Sequence, residues 1–323
     1  TGDPGATNQF GQNTNAANVT FFGGPNAIAG GMTTGSFHLQ FTGSNYYDTD
    51  IYQTDGTLAL DRVGSRESNL AYNLPNKGVT VEFWQRRSTD GFARQSRHAL
   101  FDLWNGEPSS SAQYGRLTVY ASGTGADDAF HGIYLNAYSG TVGVQNLCLL
   151  TGTVDAQVPP QYAKTGTVSA AGHLAFAFSS GSTLGLTVKT YINGTLANTT
   201  GSSIALNEVT GALRGRIGAL LTNPSGTSIG TDMAGYGTSL GGQYDEFRYW
   251  KAERTEKEIQ QNYWTQVRGG TNNEIANAEL GVYFKFNEGI TGDAAIDAIA
   301  LDYSGRMSNG TIANYGTTSL TTR

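Results

Sequence analysis

The segment Gln243 to Trp250, QYDEFRYW, has the strongest strand pattern in the chain. Large apolar and polar side chains alternate along it with a period of two, which is the pattern of a strand that presents two unlike faces. One predicted face holds Tyr244, Glu246, Arg248 and Trp250, and the other holds Asp245, Phe247 and Tyr249. The sequence therefore predicts a strand with one buried face at this position.

A helix start follows within a few residues of this strand. Thr255 and Glu258 have the spacing of a capping box, in which each side chain binds a backbone N–H of the other residue. Ile259, Tyr263 and Val267 then fall on one face of the predicted helix. This change of period predicts a strand, a short turn and a capped helix.

The composition favours an all-β chain. Only 14% of the 323 residues are charged, and 44 are glycine, so polar β-prone segments are separated by many turn residues. Further strands are expected near residues 98–104, 115–121, 132–137, 143–149 and 173–179. The dipeptide Asn193-Gly194 predicts a two-residue hairpin turn, because both residues tolerate positive φ.

Three segments resemble landmark strands of one superfamily. They are FHLQFTG, with Phe37, Leu39 and Phe41 on one face; VTVEFWQ, with Val79, Val81 and Phe83 on one face and Trp84 near its end; and HLAFAFS from His173. Together with the strand and capped helix at 243–264, they resemble the laminin-G-like jelly rolls of the concanavalin A-like lectin and glucanase superfamily. The resemblance spans Phe37 to Ile312 and implies a two-sheet antiparallel jelly-roll sandwich with one short helix.

Four regions are expected along the chain. Residues 1–35 are an extended Gly/Asn/Thr-rich arm, 36–268 the sandwich, 269–278 a linker and 279–323 a C-terminal strand segment. In the laminin-G-like family, phrases similar to YFKFNEG and DYSGRMSNGTI open a unit, whereas here they come last. We expect the segment to dock on its own sandwich through Val282, Phe284 and Phe286; the alternative is that it opens a further unit.

Charge and cysteine content exclude several partners. The formal net charge is −6 and the pI is about 5.2, which argues against nucleic acid or an anionic membrane as partner. No apolar stretch is long enough to cross a bilayer. The single Cys148 lies in the apolar run Leu147 to Leu150, where we expect it to behave as a small hydrophobe.

Calcium is the expected metal. In many members of this superfamily the aspartate of the closing strand, matched here by Asp245, binds Ca²⁺ together with carbonyl oxygens of the loop matched by Gly43 to Asp48. A structural calcium would suit a chain that cannot form an internal disulfide. The alternative is that Asp245 only caps a turn or pairs with Arg248.

Glycan binding is the expected surface activity, because aromatic side chains offer sugars an apolar face and a polar tip. The candidates in exposed loops are Trp104, Tyr114, Tyr134, Tyr138 and Tyr236; the alternative for each is packing in the core or at a strand edge. Catalysis is not expected, since glycoside hydrolysis requires a pair of carboxylates and no acids alternate in the Glu-x-Asp-x-Glu manner of the superfamily's glucanases.

The C-terminal third of the chain carries a further resemblance. The closing strand and helix, taken with YFKFNEGITG and DYSGRMSNGTI, resemble laminin-G-like modules in virion structural proteins of tailed phages of marine bacteria. The resemblance implies a non-enzymatic, multi-copy virion protein of a tail, baseplate, collar or head fibre, with other virion or surface-assembly proteins as partners. A carbohydrate-binding or adhesin module of a bacterial cell-surface or extracellular protein is the alternative, and a polysaccharide-cleaving enzyme is a weaker one.

Overall fold

In the computed structural model the described residues are 38–42, 70–87, 97–124, 129–151, 172–209, 213–218, 220–221, 242–267, 279–286, 296, 299–304 and 308–313. Within these ranges the chain forms fourteen strands and one α-helix. The strands are β1 (His38–Thr42), β2 (Val79–Arg87), β3 (Arg97–Trp104), β4 (Gly115–Thr124), β5 (Ala129–Ser139), β6 (Val142–Thr151), β7 (Gly172–Gly181), β8 (Gly185–Ile192), β9 (Thr195–Ser202), β10 (Arg214–Ile217), β11 (Gly242–Trp250), β12 (Leu280–Phe284), β13 (Ile299–Ala300) and β14 (Gly310–Ala313). The helix, α1, is Glu256–Asn262.

The strands form two antiparallel sheets. The larger sheet has the order β13-β14-β1-β10-β3-β4-β5-β6, and the smaller sheet has the order β12-β11-β2-β7-β8-β9. Neighbours such as β1 and β10, or β2 and β11, are far apart in sequence, so the chain crosses repeatedly between the sheets. The predicted fold class, an antiparallel jelly-roll sandwich with one short helix, is confirmed.

The hydrophobic core lies between the two sheets. Val79, Val81 and Phe83 are fully buried in it, as the alternation in β2 predicts. The ring of Phe101 from the larger sheet lies 5.5 Å from that of Phe247 in the smaller sheet, measured between centroids. Since alternate residues of each strand point into this core, the residues between them lie on the outer faces of the two sheets.

The closing strand β11 contains a bulge that its sequence pattern does not reveal. Its pairing with β2 shifts between Asp245 and Arg248, and Glu246 has a φ of 49°. The extra residue moves the alternation by one position, so Tyr244 joins the core with Phe247 instead of sharing the face of Arg248. The predicted division of β11 into two faces is therefore wrong before the bulge and correct after it.

Helix α1 begins as predicted. The Thr255 hydroxyl accepts a hydrogen bond from Glu258 N, and the Glu258 carboxylate accepts one from Thr255 N at 2.8 Å, which completes a capping box. Ile259 is buried against Ala175 and Ala177 of β7, so α1 covers the outer face of the smaller sheet.

The helix ends earlier than expected, at Asn262 with Tyr263 as its C-cap. Trp84 of β2 donates from Nε1 to the Tyr263 carbonyl at 2.7 Å, and Arg248 donates to the Asn262 carbonyl at 2.9 Å. Val267 therefore lies beyond the helix, where it packs against a cluster that contains Trp250, and it does not extend the face of Ile259.

The predicted hairpin at Asn193-Gly194 joins β8 to β9. Asn193 has a φ of 49° and Gly194 a φ of 78°, as a two-residue turn of this kind requires. A Cβ at Gly194 would also lie 2.5 Å from the ring of Tyr263, so this position requires glycine for two reasons. The prediction of the hairpin is confirmed.

The segment after the helix contributes to both sheets. Strand β12 pairs with β11, and Val282, Phe284 and Phe286 are buried in the core. Strand β14 pairs with β1 and with β13 in the larger sheet. The predicted boundaries at 35, 268 and 278 fall outside the described residues and stay predictions.

Candidate functional site

The outer face of the larger sheet combines aromatic, polar and charged side chains. In β3, Phe101 and Leu103 point into the core, so Asp102 and Trp104 lie on the outer face. Leu117 and Val119 of β4 lie in the core in the same way. The pairing of β3, β4 and β5 therefore places side chains of the three strands side by side in two rows. One row holds Asp102, Thr118 and Asn136, and the other holds Trp104, Arg116 and Tyr138.

A buried ion pair organises the middle of this face. Arg116 donates to Asp102 from Nε at 2.9 Å and from Nη2 at 2.6 Å, and neither side chain is more than 1% exposed. Burial by itself lowers the pKa of Arg116, but the Asp102 carboxylate outweighs burial and the pKa is raised. Thr118 donates a further hydrogen bond to Asp102 at 2.6 Å, so the carboxylate is held in one orientation.

The chain after β10 lies across this ion pair. The backbone N–H of Leu221 donates to Asp102 at 2.7 Å, and Arg216 donates from Nη1 to the Leu220 carbonyl at 2.6 Å. The Leu220 side chain packs against Tyr120 and Ala99 in a cluster separate from the core. The segment 220–221 therefore covers the centre of the outer face and leaves accessible groups on either side of it.

One accessible group is a pair of stacked tyrosines. The rings of Tyr120 and Tyr134 lie 5.6 Å apart with an interplanar angle of 22°. Tyr120 is buried and donates its hydroxyl proton to Asn146, and Tyr134 is half-buried at the surface. The Arg97 guanidinium lies 5.9 Å from the Tyr120 ring centroid. Tyr134 thus presents an aromatic surface with a fixed orientation.

The other accessible group is centred on Trp104. Its Nε1 donates to the Glu107 carbonyl at 2.7 Å, which holds the half-buried indole in place. Arg116 lies 6.0 Å from the Trp104 ring centroid. Arg116 and Tyr120 are four residues apart in β4, so the rows of Trp104 and Tyr134 are separated by about 14 Å along the strands.

The structure shows the positions of four of the five predicted aromatic residues. Trp104 and Tyr134 lie at the surface of the same sheet face, whereas Tyr236 lies outside the described residues. Tyr114 and Tyr138 are only 2% and 1% exposed, with their rings 5.7 Å apart. The expectation that these two are exposed loop residues is wrong, because both side chains are buried: Tyr138 lies within β5, and Tyr114 directly precedes β4.

Of the three predicted calcium ligands, the structure describes Asp245 alone. Asp245 is 7% exposed and accepts a hydrogen bond from Glu246 N at 2.8 Å, whereas Gly43 and Asp48 lie outside the described residues. In the part of the chain that is described, no three His, Cys, Asp or Glu side chains are grouped closely enough to hold a metal. Asp245 is thus one potential ligand, and calcium stays a prediction.

A second ionic cluster lies beneath α1, where solvent has no access to it. Glu82, His173 and Arg248 are each at most 2% exposed, and Trp250 donates to Glu82 at 2.8 Å. Burial raises the pKa of Glu82, but His173 and Arg248 outweigh it and lower the value to about 2. This cluster attaches the helix to the sheet and is not a binding site.

Two features of the outer faces were not predicted. Cys148 is exposed although it lies in an apolar run, because β6 turns its thiol away from the core that Leu149 and Leu150 occupy. The arginines of the larger sheet come from segments near residues 97, 116 and 215, which are far apart in the sequence. The register of β3, β4 and β10 brings them together.

Comparisons with known proteins give a likeness of fold. No protein-family model and no curated protein sequence matches the chain. A Bacteroides ovatus ATCC 8483 protein to which carbohydrate binding has been ascribed is 14% identical, with a TM-score of 0.43 over 86% of this chain and 57% of its own. The chain thus spans little more than half the length of that protein.

Two further solved structures are similar to parts of the chain. The heptameric SAP-like pentraxin of Limulus polyphemus is 10% identical, with a TM-score of 0.35 over 70% of this chain and 80% of its own. The CBM40 of the Ruminococcus gnavus IT-sialidase, also solved with bound sialyllactose, is 11% identical, with a TM-score of 0.33 over 60% of this chain and 91% of its own. At these identities and TM-scores the likeness carries no conclusion about ligands.

Proposed function

We propose that this chain is a carbohydrate-binding β-sandwich module that holds a glycan on the outer face of its larger sheet. The observation that carries the proposal is that two surface aromatic residues, Trp104 and Tyr134, lie on the same face of one sheet. Each ring has a fixed orientation. Trp104 donates a hydrogen bond to the Glu107 carbonyl, and Tyr134 stacks on Tyr120. A fixed ring binds a sugar at a low entropic cost.

The polar groups beside the rings suit the same ligand. Asn146 is exposed next to Tyr120, and Arg214 is exposed on β10 opposite Trp104. Amide and guanidinium groups donate hydrogen bonds to hydroxyl and ring oxygens of a sugar. The combination of flat apolar area with a few oriented donors is typical of small-ligand recognition.

We propose further that the module binds without catalysis. The strands of the larger sheet carry one carboxylate, that of Asp102, which is buried and held by Arg116. Hydrolysis with retention uses two carboxylates about 5 Å apart, one of which must approach the sugar. Incubation with laminarin, alginate and agarose should release no reducing ends; turnover that a single Asp or Glu substitution abolishes would refute this part.

The experiment for binding is affinity electrophoresis against a panel of neutral and acidic polysaccharides. Trp104→Ala and Tyr134→Ala should each weaken the retardation of the protein by the polysaccharide it binds. Trp264→Ala is the matched control, since Trp264 is 68% exposed and follows α1 on the other sheet. Equal retardation of all variants, or none with any polysaccharide, contradicts the proposal.

The proposed location is extracellular or at a cell or particle surface. Among the described helices, none is long and apolar enough to cross a membrane. Display on a tailed-phage virion, with other virion proteins as partners, stays a prediction from the resemblance of the sequence. Mass spectrometry of purified phage particles and of cell-surface fractions distinguishes this location from that of a bacterial surface module.

A further inference from the structure

The two sheets end in four strands, and these edges are not equally protected. The larger sheet ends at β13 and β6, and the smaller sheet ends at β12 and β9. Backbone N–H and C=O groups on the free side of an end strand can pair with a further strand, so open edges are places where proteins associate. An edge left open therefore indicates where another chain can bind.

Three of the four edges are short or covered. Strand β13 has only 2 residues. Strand β12 is covered by the chain that follows it, because Tyr303 N donates to the Tyr283 carbonyl at 2.8 Å and Tyr283 N donates to Asp302 at 2.9 Å. The edge of β6 meets β9, where the Asn198 amide donates to the Leu149 carbonyl at 2.7 Å.

The fourth edge, that of β9, is open. None of the 8 residues of β9 is buried, and Thr195, Leu196, Thr199 and Gly201 are exposed. Within the described part of the chain, β8 is the only strand that pairs with β9. The pairing shifts once near the hairpin turn and is then uninterrupted over Asn198–Ser202, the stretch that we call the β9 edge.

The β9 edge lacks the features that usually prevent association between sheets. Edge strands are commonly protected by charged side chains, above all lysine, or by proline. The sequence of β9, TLANTTGS, contains neither. Its threonines favour the extended backbone that a paired strand requires. The composition of β9 therefore allows a further strand to pair with it.

The side of the sandwich around this edge carries no formal charge. Strands β6 and β9 lie next to each other there, and their 10 and 8 residues include no Asp, Glu, Lys or Arg. In the neighbouring strand β8 the one charged residue, Lys189, is paired with Glu253 at 2.9 Å. The whole chain has a net charge of −6, so two copies repel each other over much of their surface but not across this side.

We infer that the β9 edge pairs with the same edge of a second copy of this chain. A two-fold axis perpendicular to the smaller sheet makes the edge its own antiparallel partner, and two-fold dimers are the commonest soluble oligomers. The side chains brought together are those of Thr, Asn and Ser, which are small and uncharged, and cross-strand threonine pairs stabilise a sheet. The two 6-stranded sheets then form one continuous sheet across both copies.

A strand of a different protein is the competing occupant. Partners of unlike sequence commonly meet through opposite charges, which speed their encounter and exclude wrong partners. The β9 edge and the strands beside it offer no such charge, because Lys189 is already paired with Glu253. A second copy needs no charge to match, since it presents the same uncharged edge.

The experiment measures the oligomeric state of the full chain by sedimentation velocity over a range of protein concentrations, without polysaccharide. Thr199→Glu introduces a carboxylate at the β9 edge, where it lies opposite Lys189 of the same chain and so does not disturb the monomer. Thr311→Glu is the charge-matched control, because Thr311 is an exposed threonine of β14 in the other sheet. Circular dichroism and melting temperatures show whether each variant is folded.

The wild type should form a dimer reversibly as its concentration rises. Sodium chloride should not weaken the dimer, because no ion pair holds the copies together and salt screens the repulsion between their net charges. Thr199→Glu should raise the dissociation constant of the dimer about tenfold or more, since the carboxylates of the two copies lie close together, and Thr311→Glu should leave it within about twofold.

Hydrogen exchange of the wild type locates the interface without any substitution. The β9 amides should exchange more slowly at concentrations where the dimer forms, because the pairing protects the N–H groups of the open edge. The amides of β14 should exchange at the same rate at all concentrations.

Three results overturn the inference. A wild type that stays monomeric at every concentration excludes the second copy as the occupant of the edge. A dimer that Thr199→Glu and Thr311→Glu weaken alike responds to net charge and not to the β9 edge. A dimer whose β9 amides exchange as fast as those of the monomer uses another surface. None of these results bears on the proposed function, which is tested with polysaccharides and with Trp104→Ala.

Discussion

The guanidinium of Arg248 lies 3.3 Å from the carboxylate of Glu82, and the two side chains are only 1% and 2% exposed. Arg248 also donates to the Asn262 and Thr265 carbonyls at the end of α1 and to Glu246. One buried cation thus joins strands β2 and β11 to the helix that covers them.

Replacement of Arg248 by Met should lower the free energy of unfolding by about 3–5 kcal/mol, because the Glu82 carboxylate is left buried without its cation. Urea unfolding followed by tryptophan fluorescence measures the loss. The double variant Glu82→Gln with Arg248→Met should recover part of it, since no uncompensated charge remains. A single variant as stable as the wild type would show that the ion pair does not attach the helix.

Acid should destabilise the protein through His173. The imidazole is 1% exposed, with Nε2 3.4 Å from Glu82, and burial lowers the pKa of His173 below its ordinary 6.5. The unfolded chain therefore binds a proton that the folded chain does not, so the free energy of unfolding falls as pH falls below about 6.5. The fall continues until the pH reaches the folded pKa.

The measurement for this prediction is the free energy of unfolding at a series of pH values between neutral and pH 5. His173→Gln should flatten the dependence, because glutamine does not titrate. Glu82, whose pKa is about 2 in the folded state against 4.5 as a free group, adds its own loss only below about pH 4.5. A curve for His173→Gln parallel to that of the wild type contradicts the assignment to His173.

Removal of the helix cap should have a smaller effect. Thr255→Ala deletes the acceptor for Glu258 N and should lower the free energy of unfolding by about 1 kcal/mol. Lys257→Ala, an exposed substitution in the same helix, is the control and should change stability little. An unchanged melting temperature in Thr255→Ala would mean that the cap contributes nothing to the folded state.

Asp302 should be important for the last part of the chain. Its carboxylate accepts hydrogen bonds from Tyr283 N in β12, from Ser304 N and Oγ, and from Ser308 N, all within 2.8 to 2.9 Å. Asp302→Ala leaves these donors without an acceptor and should cost about 3 kcal/mol or more. Hydrogen exchange of the β12 and β14 amides should rise in the variant; protection equal to that of the wild type would contradict the prediction.

Calcium is tested through Asp245. If calcium binds there with carbonyl groups of residues 43–48, a chelator should lower the melting temperature of the wild type and calcium should restore it. Asp245→Asn should remove the response to both, because the amide oxygen is a weaker ligand for a hard cation. A wild type whose melting temperature ignores chelator and added calcium contradicts the site.

The parts of the fold that depend on local chemistry were predictable. The turn at Asn193-Gly194 needs residues that adopt positive φ. The helix start at Thr255 needs a hydroxyl and a carboxylate three residues apart. Both features can be predicted from a few consecutive residues. The burial of Val79, Val81 and Phe83 follows from alternation alone. The bulge at Glu246 has no such signal, since neither glycine nor asparagine occupies the residue with positive φ.

The candidate site was predictable only in part. An aromatic residue looks the same in sequence whether its neighbours cover it, as at Tyr114 and Tyr138, or leave it partly accessible, as at Tyr134. The difference depends on what packs against each ring: Tyr114 and Tyr138 lie against each other in the buried part of the fold, whereas Tyr134 stacks on Tyr120 at the surface. The early end of α1 at Asn262 likewise depends on Trp84 and on Arg248, which bind carbonyl groups at that end from other strands.

The sequence by itself determined the architecture, because strand periodicity, turn residues and a helix cap act over a few residues and each specifies one local conformation. The tertiary structure alone decided which side chains meet across the strands. The pairing of Arg214 with Trp104 and of Asp102 with Arg116 depends on the order and register of β10, β3 and β4. The register of each strand is fixed by the burial of its whole apolar face between the two sheets. This long-range condition cannot be predicted from any short segment of sequence.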